Sequence, residues 1–161
     1  MKKIKVGING FGRIGRAFFR AAGGRPEIEV VAVNDLGEPA TFAYLLKYDS
    51  VYGRAPFEAS VSSDGKALIV DGKEVTFLSE KEPARLPWNE LGIDVVIEST
   101  GFFASYEKAH AHLRAGAKRV IITAPVKDEP VGLKGATVLL GVNEEKIKAS
   151  GKVEIILNAK T

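Results

Sequence analysis

Ile4-Lys5-Val6-Gly7-Ile8-Asn9-Gly10-Phe11-Gly12-Arg13-Ile14-Gly15 decides how this chain is read. Ile4 to Ile8 is a short apolar-rich strand candidate, and Gly10, Gly12 and Gly15 follow it at the spacing G-x-G-x-x-G. Beyond them Ile14, Ala17, Phe18 and Ala21 fall on one side of a helical pattern, which Gly23-Gly24 and Pro26 end. Ile28 to Val33 is rich in β-branched residues, as in a strand covered on both faces, so the opening spells β-α-β. In such a unit the first glycine makes the tight turn and the second lets a diphosphate approach the backbone. The third lets helix and strand pack closely, which leaves the phosphates over the positive start of the helix. The acidic residue expected roughly 20 positions later is Asp35, whose carboxylate can accept from both hydroxyls of an adenosine ribose. Leu36-Gly37-Glu38 supplies no cation for a 2′-phosphate, so the pattern predicts NAD in preference to NADP.

Working outward, a second helix is expected over Ala40 to Leu46. Alternation then predicts antiparallel strands at Phe57 to Val61, Ala67 to Val70 and Val75 to Phe77, turned by Asp64-Gly65 and Asp71-Gly72. Further strands are expected at Ile93 to Glu98, Arg119 to Thr123, Thr137 to Leu140 and Val153 to Leu157. A helix from Ser105 to Ala115 ends at Gly116, and Asn143 caps a short one over Glu144 to Ala149. The expectation is an α/β fold: a doubly wound, mainly parallel Rossmann sheet with an inserted antiparallel hairpin region, as one domain over residues 1–161. Glu98-Ser99-Thr100-Gly101 and Thr123-Ala124-Pro125 both follow apolar strands, which puts both turns on the ligand side of the sheet.

Composition narrows the function classes. Hydrophobic residues make up 45% and charged residues 27%, which suits one globular domain. The net charge of +3 is spread through mixed runs such as Glu80-Lys81-Glu82 and Lys127-Asp128-Glu129, so the surface reads as solvated and not as a nucleic-acid stripe. Lys146, Lys148, Lys152 and Lys160 read as a solvated rim. Without cysteine there are no disulfides and no thiolate metal sites. The start lacks a secretory signal, and no apolar run approaches the roughly 20 residues of a membrane helix, so a soluble cytoplasmic protein without a membrane partner is expected. His110 and His112 stand two apart on a helix and face different ways, so no metal site is assigned and both read as surface or partly packed. Glu107 beside them lies far from the strand ends where acid-base chemistry would sit. Trp88 reads as a packing anchor, and Tyr44, Tyr48 and Tyr52 as core.

Asn9-Gly10-Phe11-Gly12-Arg13-Ile14-Gly15-Arg16 resembles the opening signature of the glyceraldehyde-3-phosphate dehydrogenases. Further blocks follow in family order: Asn34-Asp35-Leu36, Leu45-Leu46-Lys47-Tyr48-Asp49-Ser50, Leu68-Ile69-Val70-Asp71-Gly72-Lys73, Pro87-Trp88 and Val96-Ile97-Glu98-Ser99-Thr100-Gly101. Gly116-Ala117-Lys118, Val120-Ile121-Ile122-Thr123-Ala124-Pro125 and Gly141-Val142-Asn143 extend the likeness over nearly the whole chain. The resemblance implies a tetrameric glycolytic enzyme that oxidises glyceraldehyde 3-phosphate to 1,3-bisphosphoglycerate with NAD and inorganic phosphate. Carried over by position, Arg13 and Ile14 would contact the pyrophosphate and Asp35 the adenosine ribose. Phe11, Thr100, Gly101 and Phe102 would line the pocket, with Lys81 by the adenine and Thr123 near the nicotinamide side. Asn9, Gly10, Gly12, Leu36 and Ser99 complete the expected cofactor set.

The departure comes at the end, where the family reads Ser-Asn-Ala-Ser-Cys-Thr-Thr-Asn and this chain reads Leu157-Asn158-Ala159-Lys160-Thr161. A threonine hydroxyl has a negligible ionised fraction at neutral pH and does not replace a thiolate. No catalytic residue is therefore assigned, and the chain is expected to be a dinucleotide domain ending where the nucleophile is due. The partner histidine, the substrate phosphate site and the family's C-terminal helix would lie beyond Thr161. Alone it should bind NAD weakly, show no turnover and, with an uncovered apolar face, self-associate or be marginally stable. Two alternatives stand beside this: a non-catalytic oligomerisation or regulatory module, and the cofactor domain of an erythrose-4-phosphate dehydrogenase.

Overall fold

The structure is a computed structural model that describes residues 2–126, 128–132, 134–139, 141–149 and 153–158. Lys127, Leu140, Lys152 and the closing Ala159-Lys160-Thr161, all named above, lie outside the described residues, as does the side chain of Lys148. The elements run β1 (Ile4–Asn9), α1 (Arg13–Ala22), β2 (Ile28–Asn34), α2 (Pro39–Lys47), β3 (Tyr48–Asp49), β4 (Gly53–Arg54), β5 (Ala59–Val61), β6 (Ala67–Val70) and β7 (Lys73–Leu78). A 3-10 turn (Pro83–Arg85) leads to β8 (Val95–Glu98), α3 (Tyr106–Arg114), β9 (Arg119–Ile122), β10 (Gly135–Val138), α4 (Glu145–Ala149) and β11 (Ile155–Asn158). Among the described residues, no helix is long and apolar enough to cross a membrane.

Nine described strands form one sheet in the order β10-β11-β9-β8-β1-β2-β7-β6-β5. Every pairing from β10 to β7 is parallel, and β6 and β5 extend that edge antiparallel. The chain therefore winds outward from β1 through β2 and β7 on one side, and through β8, β9 and β11 on the other. That reversal defines the crevice where open α/β sheets take their ligands. The hairpins sit inside the β2–β7 crossover, as the sequence predicts. At Asp71-Gly72 both residues have positive φ (47° and 76°), which a two-residue hairpin matched to the strand twist requires.

Alternation along the strands sends successive residues to opposite faces. Ile97 joins Ile8, Phe11, Phe19, Leu46 and Phe77 in a core beneath α1 and α2. Its neighbour Val96 packs with Trp88, Leu86 and Ile93 on the other face, where α3 closes over Val120, Ile122 and Ile155. Burial of α1 differs from the expectation. Its buried residues are Gly15, Arg16, Phe19 and Ala22, whereas Ile14 is 47% exposed and Ala21 faces solvent. The close approach of Gly15 to β1 fixes the helix rotation: a Cβ at Gly15 would collide with the carbonyl oxygen of Gly10. That contact, and not the Ile14-Ala17-Phe18-Ala21 stripe, decides which side faces in.

Two other expectations are corrected. Tyr44, Tyr48 and Tyr52 are not core but exposed, on α2, on β3 and on the turn between β3 and β4 respectively. They stand outside because α2 buries Ala43 and Leu46 instead, and because Asp49 Oδ1 accepts the N–H groups of Val51 and Tyr52 and so bends that turn outward into solvent. His112 is not a surface residue but fully buried, for reasons that belong to the site. Asn143 does not spend its side chain on the helix after it: Oδ1 accepts from Leu139 N–H at 2.6 Å and Nδ2 donates to the carbonyl of Thr137 at 3.2 Å. Trp88 is the buried anchor expected.

Candidate functional site

The loops that leave β1, β2, β7 and β8 at their carboxyl ends enclose a cleft of about 580 Å³. Gly10 and Gly12 form its floor, Asp35 and Leu36 one side, Glu80, Lys81 and Glu82 the next, and Thr100, Phe102 and Phe103 the far side. Gly10 has φ of 90°, and a Cβ there would meet Thr100 N at 2.6 Å, so the β1 and β8 loops touch only because this residue has no side chain. Ser99 secures that contact, its hydroxyl donating to the carbonyls of Gly10 at 2.7 Å and Asn9 at 3.1 Å.

Gly12 differs in kind, because a Cβ there would meet nothing within 4 Å. It is the N-cap of α1, receives no side-chain capping bond, and no acidic residue occupies the first turn. The positive end of the helix therefore faces the cleft with no carboxylate from its own first turn on its amides, which suits it to hold a diphosphate. Asp35 is half-buried. Its Oδ2 accepts the N–H of Phe11 at 2.7 Å and its Oδ1 accepts that of Gly37 at 3.2 Å. A carboxylate offers about four acceptor positions, so capacity remains for two sugar hydroxyls while the bond to Phe11 aims the group.

Beneath the cleft lies a polar chain in which Trp88, His112, Glu98, Asn9 and Asn34 are buried and the end members Thr100 and Glu80 partly so. Trp88 Nε1 donates to His112 Nδ1 at 3.0 Å, and His112 Nε2 meets Glu98 Oε2 at 2.8 Å. The indole N–H can only donate, so Nδ1 accepts and the ring proton sits on Nε2, pointing at Glu98. Asn9 Nδ2 donates to the same Oε2 at 2.7 Å, and Asn34 Nδ2 donates to Asn9 Oδ1 at 2.7 Å. On the other oxygen, Glu98 Oε1 accepts from Thr100 N–H at 2.8 Å and from the Thr100 hydroxyl at 2.5 Å. Asn34 then grips the backbone of Glu80 from both sides, accepting its N–H at 2.8 Å and donating to its carbonyl at 2.9 Å.

Of the residues predicted from sequence, Asn9, Gly10, Gly12, Asp35, Leu36, Lys81, Ser99, Thr100 and Phe102 come together around this cleft. Phe11 does not line it with its ring, which is fully buried against Phe19 and Phe42; the residue contributes its N–H to Asp35. Arg13 and Ile14 stand exposed on the first turn of α1, outside the cleft lining. Gly101, at φ 78°, turns the chain between Thr100 and Phe102. Thr123 is tied by N–H and hydroxyl to the carbonyl of Glu98, each at 3.0 Å, one strand away from the cleft. Sequence reasoning missed Asn34, Glu80, Glu82 and Phe103. The signal for the two glutamates was their place after β7, which counts only once β7 is seen to lie parallel beside β2.

A glycine-rich turn opening onto an uncapped helix, at the reversal point of a doubly wound sheet and with a strand-end aspartate alongside, defines the Rossmann class of dinucleotide-binding domains. The sequence profile described as "Glyceraldehyde 3-phosphate dehydrogenase, NAD binding domain" matches residues 4–106. The chain belongs to that family. It is 55% identical over 143 residues to the glyceraldehyde-3-phosphate dehydrogenase of Geobacillus stearothermophilus, a match covering 89% of this chain and 41% of the relative. Glyceraldehyde-3-phosphate dehydrogenase 1 of Bacillus subtilis is 51% identical over 156 residues, covering 97% and 44%. The cytosolic enzyme of Trypanosoma brucei brucei is 50% identical over 150 residues, covering 93% and 43%. The chain thus spans less than half the length of these relatives.

Proposed function

We propose that this chain binds NAD in the cleft above β1, β2, β7 and β8, as the cofactor domain of a phosphorylating glyceraldehyde-3-phosphate dehydrogenase. The observation that carries the reading is the open, uncapped start of α1 at Gly12, with Asp35 aimed across from it. The diphosphate would lie against the first-turn amides, with Arg13 and Ile14 at their edge, and Asp35 would accept from the adenosine ribose. Leu36 and Phe102, both exposed at the mouth, would flank the adenine, with Lys81 beside it. Gly101 and Thr123 would lie toward the nicotinamide end.

When bound, NAD would supply the hydride acceptor. The thiol on which the aldehyde would be held has to come from elsewhere in a longer protein, since these 161 residues contain no cysteine. The chain alone would therefore bind cofactor without turnover, and the aldehyde substrate would belong to the longer protein. A cytoplasmic, homo-oligomeric setting without nucleic-acid or membrane partners is part of the same proposal, supported by the mixed surface charge and by the named cytosolic relative.

Calorimetric titration with NAD tests it. Saturable binding is expected in the wild type, with loss in Gly12→Val and Asp35→Ala. Gly12→Val is the sharper variant: open space at Gly12 lets the fold accept a side chain that the diphosphate would then strike. Absence of saturation at millimolar NAD, or equal binding by Gly12→Val, would overturn the proposal.

A further inference from the structure

We propose that His112, a residue with no access to the cleft, is a positioning residue for cofactor binding. It would act through Glu98 to fix two opposite walls of the cleft before any ligand arrives. The inference rests on the NAD reading above and goes beyond it.

Glu98 is 1% exposed and its oxygens already receive Thr100 N–H, the Thr100 hydroxyl, Asn9 Nδ2 and His112 Nε2. A carboxylate only accepts, so it dictates the orientation of everything around it. Asn9 must turn its NH2 toward Glu98, which leaves Oδ1 to receive Asn34 Nδ2. Asn34 then has only its own Oδ1 to offer Glu80 N–H. One chain of donors thus runs from the Thr100 wall, under the glycine floor, to the Glu80–Glu82 wall, with each link fixing the next.

His112 closes the chain on its remaining side. Trp88 Nε1 holds Nδ1, so the proton on Nε2 is committed to Glu98, and the ring is wedged between Trp88 and Phe103, itself a cleft residue. Without that donor, Glu98 Oε2 keeps one partner in a site closed to bulk water. The carboxylate is then held from the Thr100 and Asn9 sides alone, and those bonds loosen with it. The walls would still be present, but ordering them would fall to the ligand, and affinity would drop accordingly.

Two measurements test this in the full chain. In the wild type without ligand, the amides of Thr100 and Glu80 lie in loops, yet they are expected to exchange with solvent as slowly as those of β8; exchange at loop rates would overturn the proposal. His112→Phe, which preserves the ring volume but neither hydrogen bond, should speed both amides and weaken NAD binding by about tenfold, as for one lost hydrogen bond to a charged group. His112→Gln, whose amide can offer both a donor and an acceptor, should recover most of that affinity. Val120→Ala, buried under the same helix but outside the polar chain, should lower the melting temperature and leave affinity unchanged, which separates positioning from general stability. Wild-type affinity in a folded His112→Phe chain would sink this inference and leave the NAD reading standing. A wild type that takes up no NAD would sink both.

Discussion

Replacing Glu98 by Gln keeps the side-chain shape but turns one acceptor into a donor, and the four bonds that converge on it allow the cost to be worked out. If the new NH2 takes the Oε1 position, it confronts Thr100 N–H, which cannot reverse, although the Thr100 hydroxyl can turn to accept. If it takes the Oε2 position, it confronts Asn9 Nδ2 and His112 Nε2. Turning Asn9 over breaks its bond with Asn34, and moving the imidazole proton to Nδ1 sets it against Trp88 Nε1–H. No arrangement satisfies every group. The cheaper one leaves a backbone donor unpaired, at about 1–3 kcal/mol, and loses the charge assistance on the remaining bonds, for roughly 2–4 kcal/mol in all. At about 2–4 °C per kcal/mol for a chain of this size, the melting temperature should fall by roughly 5–15 °C. Urea unfolding followed by the fluorescence of the single tryptophan, Trp88, reads the change directly. A loss under about 1 kcal/mol at an unchanged denaturant slope would mean that the four bonds are not simultaneously made, and the reasoning would fail.

Four further outcomes are expected. Gly15→Ala sets a methyl against the Gly10 carbonyl, which is backbone and cannot step aside, so it should cost about 1–3 kcal/mol in urea unfolding. Gly12→Ala meets open space and should change stability by no more than about 1 kcal/mol, the helix N-cap tolerating Gly and Ala with that difference. Arg20 ties α1 to the end of α2 and to β4 by donating to the carbonyls of Leu46, Lys47 and Gly53, so Arg20→Leu should speed amide exchange in the Tyr48–Arg54 hairpin well before it unfolds the sheet. The Asp94 carboxyl is held below its ordinary 3.8 by Lys118 and by the N–H of Lys5, and a group so lowered stabilises the fold above that value and ceases to as pH falls through its folded value. The stability gap between wild type and Asp94→Asn should therefore be full at neutral pH and close below about pH 3.8 in pH-dependent unfolding.

Local rules made the opening β-α-β unit, the Asp71-Gly72 hairpin and the ring of strand-end loops readable, because each depends on residues within a few positions of one another. The face of α1 was not readable from its apolar residues, since two stripes compete there and the Gly15–Gly10 contact, made across the strand-helix turn, chooses between them. His112 was misread for a related reason. Spacing on a helix shows only that it and His110 diverge, whereas its burial depends on Trp88, in the turn before β8, and on Glu98, at the end of β8. Glu80 and Glu82 looked like ordinary solvated charge because nothing local shows that β7 lies beside β2. Membership of the family was legible from the ordered blocks, and the comparisons agree with it.

Parallel pairing at the centre of the sheet has a further consequence for how the chain is made. β1 meets β2 in the register Val6↔Val30, but it meets β8 only as Val6↔Val95, a separation of 89 residues. During synthesis the first strand can zip on one flank early, while its other flank stays bare until β8, which begins at Val95, has left the ribosome. For that interval Ile8 and its neighbours present an unsatisfied seam to the surrounding milieu, open to capture by a chaperone or by another nascent copy. The slowest step in maturation should be the arrival of β8, which completes the cleft before β9, β11 and β10 are laid down outside it.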